Sequence, residues 1–330
     1  MVLDRGDVGI RVDRVLLRHL HDIPGISRTR IQRWIDAGDV RLNGGPIPRA
    51  AWRVAAGDEI AVRLTEARER TRMRPEPTPL HILYEDEWLL AVDKPAGVVV
   101  HPSYGHATGT LMNALLARVE RPSLIHRLDK HTSGVVLVAR TPQVHRALQA
   151  QLHARRIDKD YLAVVWGRVT PARGTIDLAL DRDPWDRRRV QVRDRGGQPS
   201  VTRYERLCTW PARKATAAQA SLSLLRCRLV TGRMHQIRVH LAHKGWPLVG
   251  DPTYGDPPRA RLADPVLDAL ARGFPRQALH AWRLALLHPV TRAALAIESP
   301  VPSDLRLLMD AAGLQAPPRA SLDATVATRE

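Results

Sequence analysis

The residues best placed to do chemistry fall in two short blocks. The first, His126-Arg127-Leu128-Asp129-Lys130-His131-Thr132-Ser133, holds one carboxylate, Asp129, with Arg127 and Lys130 close beside it. A carboxylate kept ionised by a nearby cation can attack an electron-poor centre or stabilise positive charge developing on one. The second block runs Thr231-Gly232-Arg233-Met234-His235-Gln236-Ile237-Arg238-Val239-His240. Plainer readings exist for both. Asp, Thr, Ser and Gly are ordinary turn formers, because their short side chains bond nearby backbone groups. Arg238 could equally be a surface charge on a helix. His235, His240 and His243 could suggest a metal, yet no acidic or thiol ligand lies close to them in sequence, and no metal site is expected. No G-x-x-x-x-G-K loop, dinucleotide fingerprint or H-E-x-x-H pair occurs.

The flanking residues say what must position the first block. Leu124 and Ile125 lead into it, and Gly134 followed by Val135 to Val138 leads out. Short apolar runs bounded by turn signals read as buried strands, so His126 to Ser133 should cross between two core strands. Rigidly held loops of this kind are where catalytic groups tend to sit. Further strands are expected at 80–84 and 89–92, at 157–165, and repeatedly between 175 and 230. Polar connections are expected at 183–189 and 194–198. A helix is expected over 110–119. Another should open at Thr141-Pro142, a cap and first-turn signal, carrying Val144, Leu148 and Leu152 inward. Many strands with few helices argue for an α+β core, mixed and largely antiparallel.

Ahead of that core lies a smaller unit. Val12, Leu16, Leu17 and Leu20 recur at helical spacing, and Ser27 can cap a second helix with Ile31, Trp34 and Ile35 on its inner face. Arg28, Arg30 and Arg33 fall elsewhere on that helix and can face solvent. Strands around Asn43-Gly44 and after Gly57-Asp58 complete it. The expected division is a domain over 1–64, an exposed Pro-containing linker over 65–79, the larger domain over 80–312, and a disordered tail over 313–330.

The formal net charge is +17, and only five of the 51 basic residues are Lys. Arginine suits bidentate phosphate contacts and stacking on bases, so this surplus favours a polyanionic partner such as nucleic acid. Cys208 and Cys227 match no ligand spacing and read as buried reduced thiols. No apolar run reaches membrane-spanning length and the N-terminus carries no signal-peptide core, so a cytoplasmic location is expected.

His126-Arg127-Leu128-Asp129 followed by Thr132-Ser133-Gly134 resembles the signature of the RluA-type RNA pseudouridine synthases. The segments Asp93-Lys94-Pro95-Ala96-Gly97, Lys159 to Gly167, Thr231 to His240, Gly250 to Gly255, Leu279-His280-Ala281 and His288-Pro289 fit the same family. The chain departs from it at Met234, where the family usually has Thr. Arg11, Asp13, Ser27, Arg28, Gly38, Val40, Asn43, Gly44, Gly57 and Asp58 are similar to the small S4-type RNA-binding domain. The resemblance spans about residues 11–64 and 80–310. It implies a pseudouridine synthase catalytic core behind an S4-type domain, acting without cofactor as a monomer on RNA. Large-subunit ribosomal RNA is the expected substrate. Transfer RNA is the alternative, and a non-catalytic RNA-binding ribosome-assembly factor is the rival of another class. The resemblance makes Asp129 the catalytic carboxylate and Arg238 its partner. Tyr161 becomes the residue against the flipped uracil, often drawn as the base for the ribose 2′ proton. Arg127 is the residue that fills the vacated space. Lys159, Arg233, His235, Arg28, Arg30 and Arg33 are expected to contact RNA.

Overall fold

The computed structural model describes residues 3, 6–20, 23, 26–63, 73–102, 108–186, 188–211 and 219–318. The chain forms two compact units, Met1–Arg72 and Met73–Glu330. Of the expected linker, residues 65–72 lie outside the described residues, as do 319–330 of the expected tail.

In the first unit, α1 (Val12–His19) and α2 (Arg28–Asp36) bury Val12, Val15, Leu16, Ile31, Trp34 and Ile35 against one another. Leu17, expected inside, is exposed, because Val15 takes the inward position one turn from Val12. The hydroxyl of Ser27 accepts from Arg30 N–H and caps α2. Strands β1 (Val40–Leu42), β2 (Gly45–Pro46) and β3 (Ile60–Val62) form a sheet in the order β2-β1-β3. The β1–β2 turn puts Asn43 and Gly44 at φ 49° and 78°, the left-handed pair that a two-residue hairpin requires. The Asn43 side chain also donates to Asp58 and accepts from Glu59 N–H, each at 2.8 Å. The three α2 arginines do not present one free cationic face. Arg28 Nε donates to the buried Asp13 at 2.9 Å, Arg30 lies half-buried over the Trp34 ring at 5.0 Å, and Arg33 is exposed.

The second unit is built on one sheet. Its elements in chain order are β4 (His81–Glu85), β5 (Leu89–Lys94), α3 (Leu111–Leu116), β6 (Ser123–Leu124), β7 (Ser133–Ala139), α4 (Pro142–His153), β8 (Asp158–Trp166) and β9 (Arg173–Asp177). Then follow β10 (Leu180–Arg182), β11 (Val190–Val192), β12 (Val201–Trp210), β13 (Leu222–Leu229), α5 (Gln236–His243), α6 (Pro265–Arg272), β14 (Leu279–Leu287), β15 (Ala294–Glu298) and α7 (Ser303–Ala311). The main order is β4-β5-β7-β14-β8-β13-β12-β9, with β15 on β14 and β6 on β7, and β10 and β11 form a separate hairpin. Among the described residues, β7–β14 is the one parallel pairing of strands, beside an isolated parallel bridge between Gln219 and Arg261. Strand alternation splits the core between two faces. Val136, Val138, Tyr161, Ala163 and Val165 pack with α3 and α5. Val135, Leu137, Leu162 and Val164 pack on the other face, toward α4, α6 and α7. No helix among the described residues is long and apolar enough to cross a membrane.

Three expectations shift. Residues 74–76, expected in the linker, are tied to the second unit: Asn113 Nδ2 donates to Arg74 O, and Glu76 N–H to Asn113 O. Leu314, expected in the tail, is buried in the core beneath α7. Cys227 is buried, but Cys208 is only half-buried.

The seat of the first block is a gap in the sheet. One edge of β7 pairs with β5 along its whole length. The other edge pairs with β14 only at Ser133 and Gly134, and with the two-residue β6 at its far end. So β6 is a short clamp rather than the core strand expected there. Residues 125–132 occupy the space where β14 leaves β7. Ile125 N–H donates to Leu137 O, and Leu137 N–H donates to His126 Nε2, so an imidazole replaces a strand carbonyl. The divergence starts at Gly134, whose φ is 117°. A Cβ built there would overlap the backbone of Ala281, so only glycine allows the approach. Gly134→Ala should lower stability by about 3 kcal/mol or more, measured as a shift in urea midpoint at unchanged m-value.

Candidate active site

Each residue following Asp129 is fastened to the body of the fold. Lys94 has no exposed surface, and its Nζ donates to the carbonyls of Pro95, Val98 and Lys130 at 2.8, 2.9 and 3.0 Å. Arg276, itself held by Asp304, donates to His131 O at 3.2 Å. Gln277 donates to the Thr132 hydroxyl, and Ser133 Oγ meets His280 Nδ1 at 3.0 Å. The loop is therefore set by contacts from β5 and the segment before β14, both far away in sequence. Burial pulls the Lys94 ammonium down to about 7, partly offset by the charge of Asp129.

Asp129, with its side chain 21 % exposed, is met by Arg238 from the first turn of α5. Arg238 Nη1 donates to Asp129 Oδ2 at 3.1 Å. Its Nε and Nη2 donate to Asp251 Oδ2 and Oδ1 at 2.7 and 2.8 Å, a bidentate pair that fixes the plane of the fork. Asp251 is buried and also accepts from Thr253 and Tyr254 N–H. Burial pushes the Asp251 carboxyl up, but the Arg238 bonds and charge and those backbone donors outweigh it and hold it below the ordinary range. Burial likewise opposes charge on Arg238, and its pairing with Asp251 and Asp129 outweighs that and keeps it protonated.

Tyr254 closes the arrangement. Its ring lies under the Arg238 guanidinium at 5.0 Å. Its hydroxyl accepts from Val190 N–H at 2.8 Å and meets His235 Nδ1 at 2.9 Å. The other ring nitrogen of His235, Nε2, lies 3.8 Å from Asp129 Oδ2. Burial keeps His235 neutral despite that carboxylate. His235 opens α5 at φ 54°. His240 spends its ring nitrogens on Thr202 Oγ1 and Leu178 O.

These groups border a cleft of about 670 Å³, a size typical of small-molecule sites. Asp129, Tyr161, Arg238, Arg127, Lys159, Arg233 and His235 all line it. Arg28, Arg30 and Arg33 belong to the first unit and do not. Tyr161 is 6 % exposed; burial, then the charge of Asp129, pushes its phenol well above the ordinary value, so it is a neutral hydroxyl. Arg127 is exposed at the rim, whereas Lys159 is 9 % exposed. The arrangement can present a carboxylate, held by one fixed cation, to an uncharged ring entering between Tyr161 and the loop. Asp251, Tyr254 and Lys94 are not among the residues the sequence singles out for the site. Their only signals were the Gly250–Gly255 and Asp93–Gly97 segments, where Asp-Pro and Lys-Pro look like turn chemistry.

A family model described as RNA pseudouridylate synthase matches residues 88–243, and one described as S4 domain matches residues 10–60. The chain is 45 % identical over 311 residues to ribosomal large subunit pseudouridine synthase D of Xanthomonas campestris, covering 92 % of this chain and 89 % of the relative. It is 44 % identical over 314 residues to the protein of the same name from Xylella fastidiosa, covering 93 % and 90 %. Among solved structures, human RNA pseudouridylate synthase domain containing 4 aligns with a TM-score of 0.55 at 26 % identity, over 72 % of this chain and 95 % of that one.

Asp251 offers a direct check on the geometry. In the folded chain it titrates below its ordinary value of 3.8. Its pairing with Arg238 therefore contributes stability that is full above the ordinary carboxylate range and lost as pH falls through the lower folded value. Asp251→Asn should be destabilised relative to wild type at about pH 7 and approach it as pH falls through the lowered folded value. With the Arg238 fork no longer fixed, its turnover should fall about 100-fold. Urea denaturation across pH and single-turnover kinetics report the two effects.

Proposed function

The chain belongs to the RNA pseudouridylate synthase family, and from that premise we propose that it isomerises specific uridines of large-subunit ribosomal RNA, with Asp129 as the catalytic carboxylate. The observation that carries this reading is the Asp129–Arg238–Asp251 chain of ion pairs at the edge of a cleft that fits a nucleotide. The reaction breaks the bond from uracil N1 to the ribose anomeric carbon, turns the base over and rejoins it through C5. A proton leaves C5 and N1 regains one, so nothing is oxidised and no nucleotide or metal cofactor is needed. The target base must first leave its stack, at a cost of a few kcal/mol that contacts in the pocket offset. Arg127, exposed at the rim, suits filling the space left behind. Tyr161 lies against the flipped base. Its raised pKa weighs against a resting phenolate that removes the ribose 2′ proton, and favours a neutral ring that packs and donates. Asp129 attacks or stabilises the electron-poor centre, and Arg238 holds its Oδ2 in place until then.

The ribosomal substrate is supported by the names of the relatives, which match this chain across both units. They favour neither transfer RNA nor a non-catalytic assembly factor. Arg28, Arg30 and Arg33 of the S4 unit and Arg233, His235 and Lys159 of the cleft serve as RNA contacts. A ribosomal RNA substrate suits action in the cytoplasm.

Pseudouridine mapping with and without the gene tests the reading. A large-subunit signal should vanish in the deletion and return with wild type but not with Asp129→Asn, which keeps the size of the side chain without its charge. An unchanged ribosomal map with a lost transfer RNA signal would reassign the substrate. Arg238→Ala leaves Asp129 without its partner in a partly buried site and should cost about a thousandfold in turnover. Arg238→Lys should fall between, since it restores charge without the planar fork. An Arg238→Ala enzyme turning over near the wild-type rate on a transcribed ribosomal RNA fragment would remove the pair from the mechanism.

A further inference from the structure

Five Lys or Arg side chains among the described residues are buried: Lys94, Lys159, Arg238, Arg276 and Arg283. Four have partners. Lys94 has three carbonyls, Arg238 has Asp251 and Asp129, Arg276 has Asp304, and Arg283 lies beside Asp160 and Glu298. Lys159 is the exception, with neither a hydrogen-bond acceptor nor a carboxylate at its ammonium among the described residues. It stands two residues before Tyr161 on the same face of β8 and lines the same cleft. Its neighbour His126, a conceivable acceptor, spends the Nε2 lone pair on Leu137 N–H. Gly232 stands against it from the other side: a Cβ there would come within 3.3 Å of Nζ. The ammonium thus meets the cleft it lines with no acceptor beside it among the described residues. A buried charge without a partner destabilises the free protein, so a counter-charge brought by the ligand accounts for the position.

We propose that Lys159 forms a subsite for one RNA phosphodiester, the one next to the flipped nucleotide, on the floor of the cleft. This rests on the RNA-modifying reading above and deepens it. A phosphate supplies the missing charge and accepts the ammonium's protons, whereas a uracil carbonyl supplies acceptors alone. The subsite would hold the backbone while the base turns over, so the nucleotide need not leave the cleft between bond breaking and rejoining.

Lys159→Met separates this from a structural role. Met keeps the length of the side chain and removes its charge. The variant should have a higher Tm than wild type in the absence of RNA. It should bind a target-containing RNA fragment about 10- to 100-fold more weakly, with a salt dependence shallower by about 0.7 to 0.9 in log–log slope. A methylphosphonate scan of the same fragment should find one linkage next to the target whose neutralisation weakens wild-type binding by a similar factor and leaves Lys159→Met unaffected. Overturning results are a lowered Tm with unchanged binding, or a scan in which no linkage loses its effect in the variant. Either can occur while the Asp129→Asn enzyme remains inactive and wild type active, so the subsite can fail without the isomerase reading failing.

A second inference stands on a separate observation. Trp185, at the tip of the β10–β11 hairpin, is 95 % exposed, in a segment whose residues read from the sequence as a plain polar connection. The tip is built rather than loose: Trp185 and Asp186 N–H both donate to Asp183 Oδ1, at 2.8 and 3.2 Å. The base of the hairpin packs on α5 through Leu180, Val190 and Val239, and its Arg182 lines the cleft. We infer that Trp185 stacks on an unpaired base of the substrate RNA outside the cleft, next to phosphates met by Arg182. Trp185→Ala should weaken binding of the RNA fragment about tenfold, and Trp185→Phe should restore most of it. Equal binding by all three proteins would overturn the inference, as would a loss that Phe does not restore.

Discussion

The site depends on how one guanidinium divides its donors. Arg238 could bond Asp129 bidentately and bury both charges in a closed pair. Instead Asp251 takes Nε and Nη2, and only Nη1 is left for Asp129. The difference is chemical. A carboxylate in a closed bidentate pair has little left to offer an incoming ring. One held by a single donor keeps an oxygen available. Asp251 is also gripped by two backbone N–H groups and is almost wholly buried, so the fork cannot swing toward the weaker partner. Tyr254 and His235 then fill the remaining side of the guanidinium and link it to the β10–β11 hairpin.

That arrangement works only because the sheet opens where it does. Strands β7 and β14 start side by side at Gly134 and Ala281 and then separate. The catalytic loop fills the opening, and every residue from Lys130 to Ser133 is bonded to something outside the loop. A loop held at successive residues loses little freedom when substrate arrives, which is how a positioned carboxylate gains rate without new contacts.

Buried charge is arranged in two ways around the cleft. Lys94, Arg276 and Asp251 are satisfied within the fold and act as fasteners. Lys159 is largely buried with no partner among the described residues, so the free protein carries a destabilising group that a bound anion relieves. Proteins commonly hold such unfavourable features where they bind or react.

Much of this was legible before any coordinates. The alternation of apolar residues along β7 and β8, the Ser27 and Thr141 caps and the Asn43-Gly44 turn depend on neighbours a few residues apart, so they can be read along the chain. The α+β class followed from their number, and the candidate site followed from two motifs whose strings are long. Asp129, Tyr161, Arg238, Arg127, Lys159, Arg233 and His235 do converge on one cleft. What the chain order could not settle was which charges would be spent on one another. Asp251 lies 122 residues beyond Asp129 yet shares its arginine. Lys94 holds a carbonyl 36 residues away. Arg28, still exposed to solvent, also pairs with the buried Asp13. Pairing of this kind is decided by distance in space and by burial, and both arise only once β7, β8 and β14 are neighbours. Residue types and spacing determined the chemistry available to this protein; the assembly of the sheet decided which groups remain free to perform it.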